Sequence, residues 1–212
     1  MAHVSRSSHH SGDRLIHWAR IYDLGTGLLG RRGSRLRTMI ANDLQIQPGD
    51  HVLDVGCGPG RLAVTFAQRT APSGSVDGID PSPEMINRAT ARARKHGVPA
   101  RFQVGYAQRL PFADDTFDAA ACTLALHHVA DDDRQTAVAE MYRVLKPGGR
   151  LLIAEFQMGR GHRHPGPRWL RHSTGGEDMI KIALDLVTAA GFAGISSGPT
   201  NLGWLGKITA RK

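Results

Sequence analysis

Three glycines spaced by two, Gly56, Gly58 and Gly60, follow the apolar run Val52-Leu53-Asp54-Val55 and open onto a helical segment. Glycine turns sharply and carries no Cβ, so its backbone can press against a ligand. A dinucleotide fingerprint requires a glycine at position 61, where Arg61 stands, and a P-loop requires a Gly-Lys-Ser/Thr that is absent here. This loop carries instead a carboxylate, Asp54, two residues before its first glycine. A negative charge at that strand end repels a pyrophosphate and attracts an amino group or a sulfonium.

A second acid, Asp80, lies 24 residues beyond Gly56, at the end of the next apolar run. An acid about 20 residues past a glycine loop is placed to accept hydrogen bonds from two ribose hydroxyls. The two acids together describe a cationic adenosine derivative without phosphates, and S-adenosylmethionine meets both demands. The plain alternative is that Asp54 and Asp80 only cap loops.

These groups need elements to hold them. Strands are expected at His51–Val55, Ser75–Ile79, Ala100–Val104, Phe117–Leu124 and Leu151–Phe156. Helical spacing fills Leu62–Arg69, Pro83–His96 and Asp132–Leu145. Ser82 is a cap for the second of these, Pro83 suits its first turn and Gly97 its end. Lys146-Pro147-Gly148-Gly149 breaks the third. An amphipathic helix follows at Glu177–Ala190, with Ile180, Leu184 and Val187 on one face, then strands near Ala193–Ser197 and Gly203–Ala210. Short strands alternating with helices mean parallel βαβ units. The expected fold is α/β, a doubly wound Rossmann-like sheet whose ligands sit at the carboxyl ends of its strands.

The chain has 212 residues, 41% hydrophobic and 22% charged, with a net charge of +8. That composition suits one soluble domain: a polar tail at 1–13, an N-terminal lid at 14–47, a cofactor-binding core at 48–156, a basic loop at 157–176 and a C-terminal helix with two strands at 177–212. Two cysteines, Cys57 and Cys122, cannot build a disulfide framework. No run approaches the ~18 apolar residues of a membrane span, and the polar start has no secretory core. The expected location is cytoplasmic. The charge is uneven. Residues 1–42 hold Arg6, Arg14, Arg20, Arg31, Arg32, Arg35 and Arg37 against Asp13 and Asp23, and residues 157–172 hold Arg160, Arg163, Arg168 and Arg171 with no acid. The remainder is nearly neutral. Trp18, Tyr22, Leu28, Leu29, Trp169 and Leu170 lie among these arginines. Segments 14–37 and 157–172 are therefore expected to cover the cofactor and select an apolar acceptor that is anionic or lies on an anionic membrane surface. The bland alternative is solubility.

Residues 48–156 resemble the class I S-adenosylmethionine-dependent methyltransferases, in particular the small-molecule branch acting on quinones, phospholipids and sterols. PGDHVLDVGCGPGRLA looks like the first motif and GIDPSPEM like the second; LPFADDTFDAA, LALHHV and EMYRVLKPGGRLLIAE follow in order. The resemblance implies a seven-stranded sheet with an antiparallel last strand, which GWLGKITA suits. It implies that Asp54, Gly56, Cys57, Gly58 and Gly60 surround the methionine part of the cofactor and that Asp80 holds the ribose. Pro81 and Met85 then lie near the adenine, and Tyr106, Ala107 and Thr123 complete the set. The family's Gly-Asp-Ala-Glu is here Gly105-Tyr106-Ala107-Gln108, so Tyr106 replaces the acid that reaches the adenine amino group. The N-terminal segment corresponds to a substrate lid, which makes Trp18 and Tyr22 acceptor-binding candidates.

Methyl transfer from a sulfonium needs alignment and exclusion of water. It needs a base only where the acceptor atom has a proton to lose. His127 and His128 follow the fourth strand and are candidate bases, since imidazole titrates near neutrality. A packing role for Leu-His-His-Val is the alternative. Glu155, at the end of the fifth strand, is a similar candidate, with loop capping as its alternative. His162, His164 and His172 lack cysteine or carboxylate companions, so no metal is expected. A nucleic-acid-binding or nucleic-acid-modifying protein is the reading from another class, resting on the basic flanks. The segment ACTLALHHV argues against it, because amino-methylating nucleic-acid enzymes carry an Asp/Asn-Pro-Pro-Tyr-like motif there. A catalytically silent cofactor-binding relative is the third.

Overall fold

A computed structural model describes residues 30–157 and 178–212. Trp18, Tyr22 and the arginines of the 158–177 segment lie outside the described residues. Helix α1 spans Gly30–Asp43, followed by β1 (His51–Val55), α2 (Arg61–Thr70), β2 (Ser75–Asp80), α3 (Pro83–His96) and β3 (Ala100–Val104). Then come β4 (Phe117–Thr123), a 3-10 turn at Leu126–His128, α4 (Asp131–Val144), β5 (Leu145–Phe156), α5 (Met179–Ala189), β6 (Ala193–Pro199) and β7 (Leu205–Arg211). The strands form one sheet in the order β3-β2-β1-β4-β5-β7-β6. Strands β1 to β5 pair in parallel. β7 runs antiparallel to both its neighbours, β5 and β6. The doubly wound sheet and its reversed last strand are as expected.

The chain moves outward from β1 to β3 and returns to β4 on the other side of β1. The strand order therefore reverses between β1 and β4, where a parallel sheet opens a crevice at its carboxyl ends. Val52, Ala119, Ala121, Leu152 and Ala154 face one layer, packed with Leu36 and Ile40 of α1 and Leu62 and Phe66 of α2. Leu53, Val55, Ala120, Leu151 and Ile153 face the other, against Val138 and Met141 of α4 and Ala183 and Val187 of α5. Both faces of the central strands are covered, so they read as continuous apolar runs rather than alternating ones.

The caps behave as their residue types dictate. Ser82 Oγ accepts from the Met85 N–H, Pro83 sits in the first turn of α3, and Gly97 ends it with φ 62°. One expectation needs correction. Lys146-Pro147-Gly148-Gly149 does not separate α4 from the fifth strand but belongs to it. Leu145 pairs with Phe117 directly after the helix, and the register then jumps before Arg150 meets Ala119. Gly148, at φ 77°, absorbs that bulge, while Gly148 and Gly149 exchange backbone hydrogen bonds with Lys212.

Helix α1 is fastened across this layer. Arg69 Nη1 donates to Asn42 Oδ1 at 2.6 Å, Lys207 pairs with Asp43, and Asn201 Nδ2 donates to the Arg32 carbonyl at 3.4 Å. Phe66, fully buried between α2 and the sheet, carries much of the same packing. Phe66→Ala is expected to lower stability by about 3–5 kcal/mol, read as a lower urea midpoint with an unchanged m-value.

Candidate active site

The glycine loop is held from beneath by β2. Cys57 N–H donates to the Ile79 carbonyl at 2.8 Å, and Gly58 N–H to Asp80 Oδ2 at 2.9 Å. Gly56, Gly58 and Gly60 have φ of 69°, 49° and 72°, the left-handed region that side chains strain to reach. Gly56 is also walled in, because a Cβ there would stand 2.3 Å from that of Ala125. Gly60 begins α2.

Asp54 is buried on β1 and takes a hydrogen bond from the Ala63 N–H, while its Oδ2 is buried without a partner among the described residues. Burial first, and then the nearby Asp80 charge, raise its pKa to about 7 against the pull of that N–H. Asp80 accepts from Gly58 N–H on one oxygen and from Ser82 N–H, at 2.9 Å, on the other. Each oxygen keeps a lone pair for a further donor. Burial raises the Asp80 pKa and the two N–H groups oppose it. A cationic group placed at Asp54 Oδ2 supplies the missing partner and the missing charge, so these residues fit the ammonium end of S-adenosylmethionine.

A cavity of about 100 Å³ opens here. Asp54, Gly56, Cys57 and Thr123 form its floor from the strand ends, with Pro59, Arg61 and Leu62 from the loop and α2. Thr123 Oγ1 is a second buried polar atom without a partner among the described residues. Gly33, Leu36, Arg37 and Ile40 of α1 close one side, and Leu202 and Trp204 another. Arg37 is half-buried on this wall; burial, and then the charge of Arg61, lower its pKa. Two arginines thus line a mostly apolar space that already holds the acid of Asp54 and the hydroxyl of Thr123.

Of the other expected residues, Met85 is buried under the α3 cap, while Pro81 is exposed and Ala107 half-buried. Tyr106 is 57% exposed, in a bridge with Arg109. The two thiols are buried, and burial pushes both pKa values up, which leaves no thiolate for chemistry. His127 is buried with its ring on Glu155, and the His128 ring lies beside it with ring centroids 4.0 Å apart. Protein packed around the His128 ring, and then the His127 charge, lower the His128 pKa to about 4 against the pull of Glu155. That ring is therefore neutral throughout the physiological range.

The sequence reading reached Arg37 as one of the arginines of segment 14–37 and missed Leu36, Ile40, Leu202 and Trp204 as wall residues. A signal existed for the first group: Gly33, Leu36, Arg37 and Ile40 follow a helical i, i+3, i+4, i+7 spacing. Gly56→Ala is expected to combine left-handed strain with the Ala125 clash, costing roughly 2–4 kcal/mol in stability and abolishing ligand binding, checked by thermal melts and calorimetry.

Residues 52–149 match the family model described as a methyltransferase domain. The chain is 42% identical over 111 residues to demethylmenaquinone methyltransferase of Symbiobacterium thermophilum, covering 51% of this chain and 43% of that one. It is 36% identical over 147 residues to 27-O-demethylrifamycin SV methyltransferase of Amycolatopsis mediterranei, covering 68% and 52%. The chain spans about half the length of the curated relatives it matches. A S-adenosylmethionine-dependent methyltransferase structure from Aquifex aeolicus superposes with a TM-score of 0.70 at 21% identity, over 82% of this chain and 88% of that one. With the reversed seventh strand, the glycine loop and the two strand-end acids in place, residues 52–149 are a methyltransferase domain of the class I S-adenosylmethionine-dependent kind.

Proposed function

We propose that this protein transfers a methyl group from S-adenosylmethionine to a small, largely apolar acceptor that bears an anionic group. The observation that carries it is the unpartnered Oδ2 of Asp54 in a cavity whose other walls are apolar except for Thr123, Arg37 and Arg61. When bound, S-adenosylmethionine supplies a methyl group already activated on a sulfonium. The chain's own work is to hold and align. Asp54 takes the ammonium end above Gly56, Cys57, Gly58 and Gly60. Asp80 takes the ribose hydroxyls, and Pro81, Met85, Tyr106 and Ala107 border the adenine. Thr123 Oγ1 supplies a polar contact where cofactor and acceptor meet. His127 and His128 stand at the same strand ends as the groups to receive a proton when the acceptor atom releases one.

Trp18 and Tyr22, outside the described residues, are the proposed aromatic acceptor-binding residues. Leu36, Ile40 and Trp204 suit an apolar body, and a guanidinium meets a carboxylate or phenolate bidentately. The relatives named for quinone and rifamycin methylation support an acceptor of this kind. Arg31, Arg32 and Arg35 are exposed on α1, and near an anionic bilayer each basic residue adds about 1 kcal/mol. Flotation with anionic liposomes separates docking on such a surface from recognition of a free anionic acceptor. A cytoplasmic location belongs to the same reading, supported by two unpaired buried thiols; among the described residues no helix is long and apolar enough to cross a membrane.

Calorimetric titration with S-adenosylhomocysteine, which keeps the ammonium group, is the direct test. Asp54 must be ionised to meet that ammonium, and its pKa lies at about 7 in the empty protein. Affinity is expected to rise roughly tenfold per pH unit up to about 7 and then level off. The same carboxyl is neutral in the folded state between about 4 and 7, so the stability it lends the empty protein falls as pH rises through that window. Asp54→Asn is expected to remove the pH dependence together with most of the affinity. No binding by the folded wild type defeats the proposal.

Arg37→Gln tests the acceptor. A screen of small aromatic carboxylates and phenols, scored by S-adenosylhomocysteine release, is expected to show an approximately tenfold higher KM for anionic acceptors in the variant. Its cofactor affinity is expected to stay unchanged. An equal effect on neutral acceptors removes the anionic group from the reading.

A further inference from the structure

At the end of the sheet opposite the glycine loop, β5 and β7 set two arginines side by side. Arg150 and Arg211 are direct partners in the antiparallel register, where opposed like charges repel. One residue holds both. The Gln45 carbonyl accepts from Arg150 Nη1 at 3.1 Å, and the Gln45 Oε1 accepts from Arg211 Nη2 at 2.9 Å. Gln45 does this from φ 51°, a left-handed backbone that persists only where the surroundings impose it. Asp50 compensates Arg150 at 2.6 Å, and Asp43 compensates Lys207. Arg211 meets no acid among the described residues, and the Arg150 Nε–H is buried without a partner there. A cavity of about 120 Å³ opens against this pair, bordered by Asp43, Gln45, Gly194 and Thr209. It is far larger than the ~10–15 Å³ that one water needs. None of these residues lines the methyl-transfer cavity. Gly194, at φ 58°, lies where the β6–β7 register shifts between Ala193 and Ser196, and such a bulge leaves backbone groups outside the ladder.

We propose that this cavity is a second binding site, for a tetrahedral oxoanion of the phosphate class. The proposal is independent of the methyltransferase reading. An anion between the two guanidinium groups turns their mutual repulsion into a shared attraction, whereas a cation would add to it. Arg211 keeps N–H donors beyond the one it gives to Gln45, and its planar fork matches two oxygens of a phosphate. Thr209 brings a hydroxyl that donates to a further oxygen. Asp43, the acid on the wall, is already met by Lys207 and leaves the excess positive charge to Arg211. A carboxylate presents two oxygens in one plane. A phosphate presents three or four in different directions, which lets one ion meet donors on β5, on β7 and at the Gly194 bulge together. An ion held there also fastens the chain just past α1 to the sheet, because Gln45 is two residues beyond Asp43, the last residue of that helix.

The test is a calorimetric titration of the full chain with inorganic phosphate at pH 7.5, with sodium chloride holding the ionic strength constant. Saturable binding is expected in the wild type. Arg211→Gln is expected to weaken it roughly tenfold, the loss of a charge-assisted hydrogen bond. Arg37→Gln alters the methyl-transfer cavity, and Lys95→Gln removes an exposed charge on α3. Both are expected to bind phosphate within about twofold of wild type, as distant sites do. Acetate is expected to bind roughly tenfold more weakly than phosphate. Glycerol 1-phosphate distinguishes the sources: tighter binding than inorganic phosphate assigns the site to a phosphorylated small molecule, and weaker binding assigns it to the free ion. Absence of saturable binding, an Arg211→Gln affinity equal to wild type, loss of binding in Arg37→Gln, or acetate binding as tightly as phosphate overturns the proposal. If Arg211→Gln does not melt as a folded protein, Thr209→Val takes its place, with a weakening of roughly threefold expected for one neutral hydrogen bond; an unchanged affinity then overturns the proposal.

Discussion

A carboxylate buried without enough partners organises this molecule. Asp54 lies near the carboxyl end of β1, an inner strand of a sheet covered on both faces, with one hydrogen bond from α2 and a second acid close by. Burying a charge so incompletely paired is unfavourable, and the protein meets the conflict by letting the carboxyl hold a proton near neutrality. The conflict is relieved by a ligand that brings a positive charge. The surrounding architecture serves that arrangement: the β1/β4 reversal opens the crevice, the three glycines bring backbone close to it, and Asp80 clamps the loop from the neighbouring strand.

The second layer of the site is built from chain segments distant in sequence. Helix α1 supplies Leu36, Arg37 and Ile40, and the turn before β7 supplies Leu202 and Trp204. They meet because α1 is tied to α2 through Arg69 and to β7 through Lys207. β7 in turn is inserted between β5 and β6. The reversed last strand thus carries one wall of the cavity as well as closing the sheet. Glu155 stands on β5 at the junction of these parts, opposite Gly206 of β7. It joins the strand ends of the sheet to the turn that holds both histidines.

The alternation of apolar runs and helical segments, with Ser82, Pro83 and Gly97 as punctuation, specifies most element boundaries, because those signals are local. The exception at Lys146–Gly149 is instructive. Proline and glycines break a helix by local sterics, yet here they continue a strand, because the partners that accept the bulge, Phe117 and Lys212, are far away in sequence. The acids Asp54 and Asp80 are legible for a similar reason: each sits at a strand end, Asp54 before the glycine turn and Asp80 before the Pro81-Ser82-Pro83 start of α3, and that short-range pattern determines where the carboxylate must lie.

What sequence alone determined is therefore the sheet, the glycine loop and the chemical character of the ligand, through charge and spacing within one βαβ unit. Tertiary structure decided the rest. Whether Arg37 or Trp204 meets the cavity depends on how α1 and β7 pack, and neither contact leaves a periodic trace that names its partner. Whether His127 is an exposed base or a ring held on Glu155 depends on β5 lying beside β4, which brings a carboxylate 28 positions away into hydrogen-bond distance. Desolvation shifts Asp54 and His128 in opposite directions, and it is a property of everything packed around a group rather than of its neighbours along the chain.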